Sequence, residues 1–196
     1  MNREQWLTNA VGALNTHVFL PKGVEATNYK VSVGFASRGV GGQSQAVGEC
    51  FPPERSAANV TEIFISPVLA LTVGSANDQT AGVLDVLAHE LIHCIVGNEC
   101  GHKGPFKRLA LDIGLVVKMK ATKAGPVLAE ILEKIAGELG QYPHAELDAS
   151  KTPKKGSRLI KVVCPLCDNV ARQARTPFVT HGLICGSCEL PMIESH

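Results

Sequence analysis

Apolar positions recur along this chain with two periods, and the change of period marks out its elements. Between Arg3 and Asn15 they fall at Trp6, Leu7, Ala10, Val11 and Leu14, the spacing of one helical face. Pro21 and Gly23 close that element. From Tyr29 to Ala36 the period drops to two, with Val31, Val33 and Phe35 alternating against Lys30, Ser32 and Gly34. The glycine-rich SRGVGGQS then leads into QAVGEC, so a hairpin is expected, and VTEIFIS reads as a third strand. Pro67 suits the first turn of a short helix from Val68 to Val73.

The next stretch returns to the helical period. Ala81, Val83, Leu84, Leu87, Ala88, Leu91, Ile92 and Ile95 make a helix apolar nearly all round, which predicts burial. Asn77, Asp78 or Thr80 offers its cap and Gly97-Asn98 its stop. PFKRLALDIGLVVKMK and GPVLAEILEKIAGELG read as two more helices, opening at Pro105 and Pro126, the second stopping at Gly140. Residues 143–157 lose all apolar periodicity and read as a linker. The pattern predicts an α+β fold with a main domain over 1–142 and a small module over 158–196.

Composition changes this picture little. At 196 residues, 45% hydrophobic and 19% charged, the chain can bury a real core, which excludes a disordered protein. The uncharged run over 63–77 is too short for a membrane span and is broken by Ser66, Pro67 and Gly74. The first ten residues lack the apolar core of a secretory signal, so a cytoplasmic protein with no membrane partner is expected.

Cysteine spacing adds a metal. Cys164/Cys167 and Cys185/Cys188 form two CxxC pairs with seventeen residues between them, the spacing of a structural Zn²⁺ site and not of a disulfide framework. Cys50, Cys94 and Cys100 have no such partners and read as small buried thiols. DNVARQARTPFVTHGLI between the pairs is long enough for a short hairpin. Forty residues cannot supply a core of their own, so a bound ion would replace one.

Charge is divided unequally. Residues 151–196 carry seven Lys/Arg against three acids, a balance of +4, whereas residues 1–150 carry 12 against 15, a balance of −3. Four thiolates around one Zn²⁺ would reduce the tail's excess to about +2. Two roles stay open for the module. It is either a nucleic-acid or substrate platform using Lys154, Lys155, Arg158, Arg172, Arg175 and Lys161, or a solvated folding staple. Phe178 is its one aromatic between the pairs, and stacking on single strands calls for more.

The predicted buried helix contains His89, Glu90 and His93, an HExxH pattern. A helix turns about 100° per residue, so the two histidines lie on one face and can reach one ion, while Glu90 projects beside its open position as a general base. The bland reading is a core helix with two satisfied histidines. Burying His, Glu and His together without a compensating ion costs several kcal/mol, which favours the metal. A catalytic Zn²⁺ needs a third protein ligand. Glu99, Cys100 and His102 lie close in sequence, and Glu130 or Glu133 could come from a later helix. The metzincin spacing is excluded, because Val96 and Glu99 stand where it needs Gly and His. Cys94 follows His93 and points off the ligand face, and His17, His144, His181 and His196 read as surface residues. GVGG precedes a strand, so it is no phosphate loop.

HELIH followed by GHKGPF resembles the SprT-like zinc metallopeptidases, the catalytic domain type of the protease Spartan. The match lies at His89, Glu90, His93, Gly101, His102 and Phe106; Lys103 departs from the family's Gly, with Gly104-Pro105 following. The resemblance implies a zincin-like domain of helices with a small antiparallel sheet, His102 as third zinc ligand, Glu90 as catalytic base, and a C-terminal Cys₄ zinc ribbon. YKVSVGFASRGVGG, GECFPP and EIFISP are also similar to small SprT-like proteins of bacteriophages, for which the compartment would be the host cytoplasm. The implied function is a zinc endopeptidase acting on DNA-associated proteins, with one catalytic and one structural Zn²⁺. The rival from another class is a non-catalytic DNA-binding or transcription-associated adaptor with two structural zinc ions, and Glu90 is the residue that separates them.

Overall fold

A computed structural model of the chain describes residues 1–35, 46–67, 76–116, 119, 122–143 and 159–195. The short helix expected over 68–73, most of the expected linker, and Lys154, Lys155 and Arg158 lie outside these residues. Contacts divide the chain into two compact units, Met1–Lys151 and Thr152–His196.

The first unit opens with α1, Arg3–Leu14, nucleated by a reciprocal cap: the Gln5 N–H donates to Asn2 Oδ1 at 2.8 Å and the Asn2 N–H to Gln5 Oε1 at 3.0 Å. Its apolar stripe, Trp6, Leu7, Ala10, Val11 and Leu14, is wholly buried. One π-helical turn, Asn15–Phe19, and a tight turn, Leu20–Lys22, carry it to Gly23, whose φ of 75° ends the element. Buried Asn15 is satisfied on both sides, donating to the Ala26 carbonyl at 2.9 Å and accepting from the Ala26 N–H at 3.0 Å.

Three strands follow: β1 (Tyr29–Val33), β2 (Gly48–Phe51) and β3 (Thr61–Ile65). They are ordered β1-β3-β2, with β1 parallel to β3 and β2 antiparallel to it. The hairpin expected between the first two strands does not form, and the sheet is mixed where the resemblance implied an antiparallel one. Burial explains the correction. Thr61, Ile63 and Ile65 of β3 are all buried, whereas β1 buries only Val31 and β2 no residue fully. The strand with the most apolar surface to hide takes the centre, and the half-buried strands flank it.

Against this sheet packs α2, Ala76–Val96, whose Val83, Leu84, Leu87, Ala88, Leu91 and Ile92 are buried. The described helix runs from Ala76, so the expected cap positions Asn77, Asp78 and Thr80 fall within its span. It stops where expected: Gly97 has φ 81° and its N–H donates to the His93 carbonyl at 2.9 Å. α3, Pro105–Asp112, is half as long as its apolar run suggested, because the chain turns at Gly114 (φ 94°) into β4, Leu115–Val116. β4 pairs with β5, Lys123–Ala124. The Gly125 N–H donates to the Gly114 carbonyl at 2.8 Å, an approach so close that a Cβ on Gly125 would sit 2.9 Å from that oxygen. α4, Pro126–Leu139, then buries Leu128, Leu132 and Ile135.

The second unit is a three-stranded antiparallel sheet of β6 (Leu159–Val163), β7 (Val170–Ala174) and β8 (Ile193–Glu194), ordered β7-β6-β8, with a two-turn helix α5 (Arg175–His181). The segment between the cysteine pairs is therefore a strand and a helix, not the expected hairpin. β7 finds its partner in β6, upstream of the first pair, and Pro177 is tolerated in the first turn of α5. Among the described residues no helix is long and apolar enough to cross a membrane.

Candidate metal centres

α2 carries His89 and His93 one turn apart, and the turn after it brings a third imidazole onto the same face. That turn is short and glycine-dependent. Gly101 has φ 52°, and Gly104 has φ 47° with ψ −113°, a region that side chains avoid. Asn98 Nδ2 donates to the Cys50 carbonyl at 2.6 Å, tying the turn to β2. Lys103, the departure from the SprT-like pattern, is exposed, so it leaves the turn's left-handed positions to glycine.

His102 is thereby folded back over α2. Its Nε2 lies 3.1 Å from His89 Nε2 and 3.3 Å from His93 Nε2. Nitrogens at about 2.0–2.1 Å from a tetrahedral Zn²⁺ stand about 3.3 Å apart, so these separations fit an ion. Hydrogen bonding alone explains them poorly, since one Nε2 cannot both donate to and accept from two others. Burial, and then the charges of neighbouring imidazoles, hold His89 down at about 3 and His93 at about 4, so both are neutral at ordinary pH, the form that binds metal. Phe106, fully buried in the first turn of α3, forms a common floor, with its ring centroid 4.9, 4.5 and 4.8 Å from those of His89, His93 and His102. Glu130 and Glu133 are exposed on α4, away from this cluster, and Cys94 Sγ points to the Thr27 carbonyl. The group that could hold a metal is His89, His93 and His102.

Glu90 is buried beside the ligands and is not one of them. Its carboxylate lies against β2 in a gap left by Gly48: a Cβ there would stand 2.7 Å from Glu90 Oε1, 2.9 Å from Glu90 Cγ and 2.6 Å from Val86 Cγ1. Burial, and then the charge of Glu49, push Glu90 up to about 8. A cation held by the neighbouring imidazoles would draw it back towards the ionised form.

Two contributors were missed in the sequence. Gly48 carried a readable signal, an isolated glycine in a strand, which marks close backbone approach. Thr122, whose Oγ1 lies 2.8 Å from His89 Nδ1, carried none, because it sits in a stretch without periodicity.

The second centre is made of two matching knuckles. In the first, the Asp168 N–H donates to the Cys164 carbonyl at 3.1 Å and the Cys164 N–H to the Asn169 carbonyl at 2.9 Å. In the second, Glu189 and Cys185 repeat this at 2.8 Å, with the Cys185 N–H donating to Leu190 at 2.9 Å. Asp168 and Glu189 hold matching left-handed φ values of 56° and 54°. The four Sγ atoms of Cys164, Cys167, Cys185 and Cys188 lie within 4.8 Å of one another. Cys167 and Cys185 Sγ are 3.6 Å apart, far beyond a disulfide and near the roughly 3.8 Å expected around Zn²⁺. The Ser187 N–H, aided by that of Cys188, outweighs burial and draws Cys185 down to about 6. Both donor sets could hold a metal ion, and each is built from elements of its own unit.

Of the cations expected to meet nucleic acid, Arg172 is exposed on β7 directly opposite exposed Lys161 on β6. Arg175 is forked onto Glu194, with Nη1 donating at 3.1 Å to Oε2 and Nη2 donating to Oε1. Phe178 packs against the small ribbon core of Val162, Cys164, Cys185 and Met192. No family model, no curated protein and no solved structure matches this chain.

Proposed function

We propose that the chain is a zinc-dependent endopeptidase of SprT-like type whose reacting centre is His89, His93, His102 and Glu90. The observation that carries this reading is a division of labour around one buried helix: His102, from the turn after it, converges with the helix's His89 and His93 within ligand distance, while the adjacent Glu90 carboxylate is seated against Gly48. His89, His93 and His102 would hold a zinc ion, which would supply a Lewis acid for the scissile carbonyl and for the attacking water. The Glu90 carboxylate accepts the proton of the attacking water and returns it to the leaving amine nitrogen. Phe106 and the turn over 97–104 keep the three rings in register. A purely structural zinc site has no use for a buried carboxylate in this place, which is the reason for preferring an enzyme to an adaptor.

The proposed substrates are DNA-associated proteins, a reading supported by the resemblance and by the ribbon's cations. Lys161 and Arg172 are like charges directly opposed across a ladder, an arrangement that costs stability and suits an anionic partner. The test is cleavage of a basic DNA-binding protein by the zinc-loaded chain, with and without single-stranded DNA, beside Glu90→Gln. DNA-stimulated cleavage by wild type alone supports the reading. Cleavage indifferent to DNA leaves a general peptidase, and no cleavage favours the adaptor.

A further inference from the structure

Thr122 stands immediately before β5, a strand of two residues that runs beside α2. Two contacts link them. The Ala124 backbone N–H is turned to the Asp85 carboxylate, whose buried Oδ1 has no hydrogen-bond partner among the described residues, and His89 Nδ1 meets Thr122 Oγ1 at 2.8 Å. Asp85 and His89 are four residues apart on α2, about 6 Å along its axis, and residues 122 and 124 are about 6–7 Å apart in extended chain. The two spacings match, so the segment over 122–124 lies along one turn of α2 in the opposite sense. The far end of that clasp is fixed as well, since β5 pairs with β4 and the Gly125 N–H bonds to Gly114.

The consequence for His89 is chemical. With Nε2 taken up by the proposed ion, the neutral ring's proton is left to Nδ1, and there the acceptor is the Thr122 hydroxyl. We infer that Thr122 is a positioning residue for the zinc ligand His89, fixing the ring's tautomer and orientation through Nδ1–H···Oγ1, with Asp85 anchoring the segment that presents it. This rests on the three-imidazole metal reading proposed above. Metal-bound histidines generally donate their second N–H to such a partner, and losing it weakens metal binding by about ten- to a hundredfold.

The test uses the full chain with its Cys₄ site filled, and reads zinc affinity of the second site by chelator competition in wild type, Thr122→Val and Thr122→Ser. The hydroxyl hypothesis expects Thr122→Val, which keeps the branched shape, to weaken zinc about ten- to a hundredfold. Thr122→Ser, which keeps the hydroxyl and loses a methyl, should stay within a few-fold of wild type. A packing role would reverse that order, and equal affinities in all three would overturn the inference while leaving the metal site standing. Uptake of a single zinc by wild type would overturn the metal reading and this inference with it. A measurement on wild type alone guards against a misfolded variant: imidazole ¹⁵N shifts of the zinc-loaded chain should show His89 bound through Nε2 and protonated at Nδ1. Binding through Nδ1 would overturn the assignment.

Discussion

The two centres solve opposite problems. The histidine centre sits on a 21-residue helix embedded in the main core, so its ligands are placed by packing whether or not an ion is present. The cysteine centre rests on a core of four buried residues, two of which are the ligands Cys164 and Cys185. The first would be a site that the fold holds; the second, once filled, would hold the fold. Donor count differs in the same sense: four thiolates would fill the positions of a tetrahedral ion, whereas three imidazoles would leave one of them free.

Removing metal should separate the two centres most visibly. With a strong chelator, amides of β6 and β7 should lose hydrogen-exchange protection by orders of magnitude while those of α2 keep theirs, since structural zinc supplies on the order of 10 kcal/mol of folding energy in small zinc modules. Simultaneous loss of protection in α2 would mean that both centres are structural.

Next in size is His102→Ala, which removes one of three imidazoles. Zinc in the first centre should weaken by at least about a hundredfold, with the four-thiolate site unaffected; metal content after dialysis against a weak chelator checks this. Gly48→Ala should do something subtler. The new methyl must displace Glu90 or Val86, so hydrolysis should fall about ten- to a hundredfold with zinc retained. Lost zinc would show that the glycine serves the ligands and not the base.

The smallest effect concerns the metal-free protein and pH. Glu90 is raised to about 8 by burial, so the folded state holds a proton that the unfolded chain releases from about 4.5 upward. Its share of stability is present below that value and is lost as pH rises through 8. His89 and His93, depressed to about 3 and 4, act oppositely: their share is present above 6.5 and lost as pH falls towards those values. Metal-free Glu90→Gln should therefore melt above wild type at pH 9, at roughly 2–4 °C per kcal/mol relieved, and the gap should shrink by pH 5. A gap that does not change with pH would place the difference in packing.

What the chain revealed beforehand follows from the range of each interaction. The HExxH face, the cysteine knuckles and the stop at Gly97 are local, written within a few turns of chain, and they were legible. Strand order was not. β1 and β2 alternate as a hairpin would, and only the competition for buried surface, won by Ile63 and Ile65, sends β3 between them. The early end of α3 is a similar case, because Gly114 is a tolerable helix residue until its carbonyl is claimed by Gly125. His102 stood among several candidate ligands by spacing alone, and the resemblance singled it out. Thr122 depends on a contact 33 residues away and left no trace in the pattern.

If the first centre is hydrolytic, Glu90 moves the proton without holding the metal. The most direct test measures peptide hydrolysis and bound zinc together in zinc-loaded wild type and Glu90→Gln. Two zinc ions per chain in both proteins, with hydrolysis lowered by at least about a hundredfold in the variant, is the predicted result. Hydrolysis that survives in Glu90→Gln, or a wild type that binds both ions and cleaves nothing, would contradict it.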